Sequence, residues 1–190
     1  MAIKIVIDAG HNPQTVNAGA EGFGYREQDI TYAVAQELAT LLRANGNFEV
    51  RLTRNTPDEI LGTSNLTSLQ ERVRIANEWP ADYFISIHAN ASTNPAANGT
   101  EAYVFRTVGE AYELAEDIVE GIVDRMGTQD LGVKANPSLY VLRRTAMPAV
   151  LVELAFISNA QDVQKMVSDP MGFARGIYNG ILDHLDIEDE

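Results

Sequence analysis

Three histidines, a scatter of carboxylates and no cysteine are the raw material for chemistry in this sequence of 190 residues. Without thiols there is no disulfide, no thiolate metal ligand and no cysteine nucleophile. Any metal has to be held by nitrogen and oxygen. Catalytic zinc takes three protein ligands and leaves its fourth position for water; His11, His88 and Glu27 make a sufficient set. Such an ion lowers the pKa of water from 15.7 to roughly 7 and polarises the carbonyl under attack. A second carboxylate, off the metal, is then needed to take the water's proton and pass it to the leaving amine. Glu153, inside the apolar run AVLVEL, suits that work because burial raises a carboxyl pKa. Asp8, three residues before His11, is a candidate for fixing an imidazole tautomer from behind. Asn90, just past SIHA, is a candidate for the surrounding groove.

Each of these residues also has a plainer reading. A histidine at a strand end is commonly a satisfied polar group. Glu153 has Arg143 and Arg144 nearby in sequence as candidate partners, and Glu27 reads equally as a first-turn carboxylate favoured by the helix dipole. Glu21 competes with Glu27 for the ligand role, while His184, near the end of the last helical segment, reads as structural.

The elements that must bring these groups together alternate between β-branched runs and helical periodicity, the pattern of an α/β fold with a largely parallel sheet. Strands are expected at Ile3–Asp8, Phe48–Leu52, Asp82–His88, Thr100–Arg106, Leu139–Leu142 and Ala149–Leu154. Helices are expected over Gln28–Ala44, closed by Asn45–Gly46, and from a capping box at Ser68–Glu71 through Glu78. Another carries Leu114, Ile118, Ile122 and Met126, and a terminal one spans Phe173–Leu185. The total is about six strands and five helices in one domain over residues 1–185, with an acidic, solvated tail over 186–190. In open parallel sheets reactive groups gather at the carboxyl ends of strands. His11, His88 and Glu153 all sit at such ends in this reading, with Glu27 leading into the first helix.

Composition narrows the function further. The formal charge of −13 comes with no cluster of Lys and Arg beyond Arg143–Arg144, which argues against nucleic acid as a partner. No apolar run approaches the roughly 18 residues of a membrane span. The start, MAIKIVIDAGHNP, has no signal-peptide pattern; the expectation is a trimmed domain, a cytoplasmic protein or export by a phage-lysin-type route. There is no G-x-S-x-G elbow, phosphate-binding P-loop or H-E-x-x-H helix, and Gly22–Phe23–Gly24 lacks the third glycine of a dinucleotide fingerprint.

Taken together, the motifs resemble the zinc-dependent N-acetylmuramoyl-L-alanine amidases of the amidase 3 family. The resemblance runs over nearly the whole chain: IVIDAGHNPQT, GYREQDITYAVAQELATLL, VRLTR, SLQERVRIANEWPADYFISIHANAS, NGTEAYVF and YVLRRTAMPAVLVELAFISN follow in the family's order. SIHAN and PAVLVELAFISN are the most specific segments. The resemblance implies His11, Glu27 and His88 as zinc ligands and Glu153 as the catalytic carboxylate. It implies a phosphorylase/hydrolase-like fold, with a mostly parallel six-stranded sheet flanked by helices on both faces. It also implies hydrolysis of the amide between N-acetylmuramic acid and L-alanine in peptidoglycan, by a monomer acting at the bacterial cell wall with any wall-binding module lying outside this sequence. Host autolysin, sporulation or division enzyme and endolysin all agree with it. Asn12–Pro13 and Ala155 depart from glycines usual in the family, and the short stretch between Phe105 and Glu110 leaves no room for the inserted helix that plugs the site in some relatives. Two other classes stay open at this level: a stem-peptide carboxypeptidase, whose H-x-x-E motif is absent around His11 and His88, and a non-catalytic wall-binding module on the same fold.

Overall fold

The computed structural model describes residues Ala2 to Asp189; Met1 of the expected domain and Glu190 of the expected tail lie outside the described residues. In chain order the elements are β1 Ile3–Ala9, the short pair β2 Glu21–Gly22 and β3 Tyr25–Arg26, α1 Glu27–Asn45, β4 Phe48–Leu52 and α2 Asn65–Glu78. There follow β5 Tyr83–Asn90, β6 Thr100–Val104, α3 Glu110–Met126, β7 Asp130–Ala135, α4 Tyr140–Arg144, β8 Ala149–Phe156, α5 Ala160–Ser168 and α6 Pro170–His184. Six strands form one sheet in the order β4-β1-β5-β8-β6-β7, and β2 and β3 form a separate hairpin. Neighbours run parallel except β6 against β8, which are antiparallel.

Alternation along each strand divides the core. Ile5, Ile7 and Ala9 of β1 join Ile85, Ile87, Val150 and Val152 under α1, α3 and α6. Val6, Phe84 and Leu151 face the other way, beneath Val73 of α2 and Val141 and Leu142 of α4. By the same alternation Asp8, Ser86, His88, Glu153 and Glu101 fall on this second face, which only two helices cover. On the first face α3 and α6 approach to backbone contact: a Cβ on Gly176 would stand 2.7 Å from Ile122 Cα.

Several elements differ from the sequence expectation. Leu139–Leu142 is not a strand but the entry to α4. A strand would turn Val141 and Leu142 to opposite faces, whereas here both enter one cluster, as a helical turn permits. The Arg143 amide donates to the Leu139 carbonyl at 3.1 Å. The sixth strand is instead β7, an edge strand whose alternation is broken by Gly132 at φ +73° and by a register shift against β6. The capping box of α2 is built by Ser64 with Thr67, one turn earlier than Ser68 with Glu71. Ser68 is buried, receiving hydrogen bonds from Asn12 and Asn17. Helix α5, capped by the Asn159 side chain, was not expected. The acidic residues Asp186, Glu188 and Asp189 of the tail are exposed, and the tail is also tied down: Asp189 accepts from Tyr178 and Arg175, and Ile187 packs on the core. Strands β5 and β8 run past His88 and Glu153 to Asn90 and Phe156, so these two groups sit on the sheet face near its carboxyl edge.

Candidate metal centre

The loop after β1 is wound to aim one imidazole. His11 adopts φ +65°, a conformation that costs a side-chain-bearing residue energy and persists only where neighbours impose it. The Asn12 side chain does so by exchanging hydrogen bonds with the backbone of Leu61, at 2.9 and 3.1 Å. Arg72 of α2 donates to the His11 carbonyl at 2.7 Å and to the Asp8 carboxylate at 2.6 Å. Asp8 takes two further bonds, from Thr53 at 2.7 Å and Ser86 at 2.6 Å. Burial works to raise the Asp8 carboxyl, but the Arg72 charge and the Ser86 and Thr53 hydroxyls prevail and hold it low. The expectation that Asp8 fixes an imidazole directly is therefore corrected: its bonds go to Arg72, Thr53 and Ser86, and it acts on His11 only through Arg72.

His11, His88 and Glu27 converge. His11 Nε2 lies 3.1 Å from Glu27 Oε1, and His88 Nδ1 lies 3.0 Å from the same oxygen. The ligand atoms of all three fall within 4.8 Å of one another. Backbone amides clamp the carboxylate, Ala20 donating to Oε2 at 2.9 Å and Ala89 to Oε1 at 3.0 Å. A Cβ at Gly19 would meet Glu27 Oε2 at 2.7 Å and His11 Cδ2 at 2.9 Å, so glycine is required for this approach. Burial acts to raise the Glu27 carboxyl, but hydrogen bonds and charge from both histidines outweigh it and leave it far below the usual carboxylate range.

The donor set fits a metal ion. His11 Nδ1 lies 3.2 Å from the Asn17 carbonyl, which only accepts, so that nitrogen carries the proton. In a neutral ring Nε2 then presents a bare lone pair to a carboxylate oxygen. A bare nitrogen and a carboxylate oxygen held 3.1 Å apart are suited to share a cation. Tetrahedral zinc with bonds near 2.0–2.1 Å sets its ligand atoms about 3.3 Å apart, close to the two Glu27–histidine distances of 3.1 and 3.0 Å.

Glu153 stands directly opposite His88 in the β5–β8 register. Its Oε2 is sealed from solvent and has no hydrogen-bond partner among the described residues. Burial first, then the negative charges of Glu27 and Glu101, push its carboxyl up to about 8. Arg143 and Arg144, its candidate partners by sequence, lie instead against the Tyr140 ring at 5.8 and 6.0 Å.

A cavity of about 190 Å³ opens beside the histidines, walled by Leu69, Leu139, Tyr140 and Leu151. A larger hollow of about 480 Å³ around Phe105, Met147 and Pro148 lies at the other end of β8 and holds none of these groups. Glu21 is exposed on the β2–β3 hairpin and takes no part. His184 pairs with Asp117 at 3.1 Å, away from the cluster. Asn90 is drawn in indirectly, donating to Glu101 at 2.7 Å. Sequence reasoning passed over Arg72 and Glu101. The signal for Arg72 was a buried Asp8 in an apolar strand, since a buried carboxylate calls for a cation. Glu101 gave no local signal beyond its place in TEAYV.

Comparison with known proteins identifies relatives over most of the chain. The family model described as N-acetylmuramoyl-L-alanine amidase, amidase 3, matches residues 5–183. N-acetylmuramoyl-L-alanine amidase LytC of Bacillus subtilis is 40% identical over 85% of this chain, which spans 31% of that relative's length. N-acetylmuramoyl-L-alanine amidase CwlM of Bacillus licheniformis is 36% identical over 94% of this chain and 67% of its own. The solved catalytic domain of CwlV, an N-acetylmuramoyl-L-alanine amidase from Bacillus (Paenibacillus) polymyxa, superposes with a TM-score of 0.84 at 33% identity over 98% of this chain and 99% of that one. This chain, with its six-stranded sheet and its His-Glu-His cluster, belongs to the amidase 3 family of N-acetylmuramoyl-L-alanine amidases.

Proposed function

We propose that the chain hydrolyses the amide joining the lactyl group of N-acetylmuramic acid to the first L-alanine of the peptidoglycan stem, with one zinc ion held by His11, Glu27 and His88. The reading is carried by one observation: two imidazole nitrogens meet a single oxygen of Glu27, with a half-buried carboxylate on the adjoining strand whose Oε2 is sealed and unpartnered among the described residues. Zinc supplies Lewis acidity there, polarising an amide carbonyl and making water acidic enough to attack near neutral pH. The protein does the rest. Its amides from Ala20 and Ala89 fix Glu27, and Asn17 fixes the His11 ring. Glu153 takes a proton from the attacking water and delivers it to the departing alanine nitrogen, as a carboxyl poised near neutrality is suited to do. The carbonyl therefore sits on the histidine side and the leaving amine on the Glu153 side.

Among the described residues no helix is long and apolar enough to cross a membrane. Residues 105–109 alone join β6 to α3, which leaves no room there for an inserted plugging helix and supports an enzyme that needs no activating partner. The test is zinc analysis with mass spectrometry of muropeptides from purified peptidoglycan. Free lactyl groups and new L-alanine amino termini, formed by the chain alone, are expected. Released D-alanine, or bound zinc without turnover, would refute the reading.

A further inference from the structure

Beyond the metal ligands and Glu153, one group of ionisable side chains on the same sheet face takes no direct part in the proposed hydrolysis. Glu101 of β6 is 4% exposed and lies opposite Glu153 in the antiparallel register. It accepts from Asn90 Nδ2 and from the Tyr103 hydroxyl, each at 2.7 Å, and pairs with the Lys134 ammonium. Lys134 comes from the edge strand β7, and its side chain is 49% exposed. A buried carboxylate with three donors thus holds a lysine that still turns toward solvent. An ammonium has three donors, and Glu101 uses the inner side of this one.

The position matters because the chemistry orients the substrate. On the proposed mechanism, with the carbonyl toward the histidines and the leaving nitrogen at Glu153, the stem peptide would be directed past Glu153, across β6 and toward β7. Adjacent strands are about 4.8 Å apart, and an extended residue spans roughly 3.3–3.6 Å. Lys134, anchored on Glu101 one strand beyond Glu153, therefore meets the first or second residue after the cut bond. The first, L-alanine, has no polar side group. The second is a D-glutamate linked through its γ-carboxyl, and its α-carboxylate is free in some walls and amidated in others.

We infer that Lys134, held by Glu101, is a recognition point for the free α-carboxylate of the second stem residue. The inference rests on the amidase reading for the direction of the peptide. It makes Lys134 a determinant of which walls are preferred, with Glu101, Tyr103 and Asn90 as its positioning residues. A lysine present only to neutralise Glu101 would be indifferent to amidation of the substrate.

The experiment measures, by calorimetric titration of the zinc-loaded chain, the affinities of L-Ala-γ-D-Glu-L-Lys and of its α-amidated counterpart. A half-exposed ion pair favours the free acid by about fivefold. Lys134→Met is expected to abolish that preference and Lys134→Arg to retain it. Should Lys134→Met fail to fold with Glu101 left unpaired, the Glu101→Gln/Lys134→Met pair restores neutrality and is read in the same way. Equal or undetectable binding of both peptides by the unaltered protein overturns the inference, as does a preference that survives the loss of Lys134. Hydrolysis of purified peptidoglycan, followed in parallel, fails or succeeds independently and reports on the amidase reading alone.

Discussion

Replacing Glu153 by glutamine in the metal-free protein should change how stability depends on pH. The Glu153 carboxyl is pushed from 4.5 to about 8 by burial and by the charges of Glu27 and Glu101. Its neutral form is thus favoured in the fold. That contribution is fully present below pH 4.5 and is lost as pH rises through about 8. Each pH unit in the window is worth about 1.4 kcal/mol, so the wild type loses up to about 5 kcal/mol relative to the glutamine variant. This is an upper limit, because Oε2 is sealed while the residue as a whole is partly open. Urea unfolding of both chelator-treated proteins between pH 5 and 9 measures it, and contributions common to both, such as those of the histidines, cancel in the difference. Parallel stability curves, differing in slope by less than about 1 kcal/mol over the window, would refute the buried, like-charged setting assigned to Glu153.

Other perturbations act through packing and pairing. Gly19→Ala places a Cβ against Glu27 Oε2 and His11, and should weaken zinc binding some 10–100-fold in chelator competition with the fold intact; unchanged affinity would show that the clamp on Glu27 is loose. Arg72→Met leaves Asp8 buried without its cation and should cost about 3–5 kcal/mol in urea unfolding, part of which returns with Asp8→Asn in the same chain. A cost below about 1 kcal/mol would mean the pair does not hold the His11 loop. Gly176→Ala overpacks the α3–α6 contact and should cost about 1–3 kcal/mol while leaving zinc affinity untouched; a fall in affinity would tie that contact to the site.

The parts of the fold legible in the sequence were those where one force decides. IKIVID and AVLVEL are apolar on both faces because they are interior strands of a covered sheet, and that pattern survives without knowledge of neighbours. The run at Leu139–Leu142 was too short for period to choose between strand and helix; packing of both Val141 and Leu142 into one cluster chose. Strand β7 was obscured because an edge strand half open to water, with a left-handed glycine, keeps no clean alternation. Helix α5 did carry a readable start, Asn159 with Asp162 three residues on. In the site, the places of His11, His88 and Glu153 near strand ends marked them as candidates, whereas Glu27 was separable from Glu21 only through the family resemblance. The bonds that hold them were not, since Asp8 with Arg72 and Glu101 with Lys134 join residues 64 and 33 positions apart through tertiary packing alone.

The central claim is that one metal ion is held by three side chains from β5, α1 and the loop after β1. Anomalous diffraction at the zinc edge from crystals of the zinc-loaded protein tests it most directly. A single peak bonded at about 2.0–2.2 Å to His11 Nε2, His88 Nδ1 and a Glu27 oxygen, with Glu153 next to the remaining open position, is the predicted result. A peak seated elsewhere, or one that persists in place after His88→Ala, would contradict it.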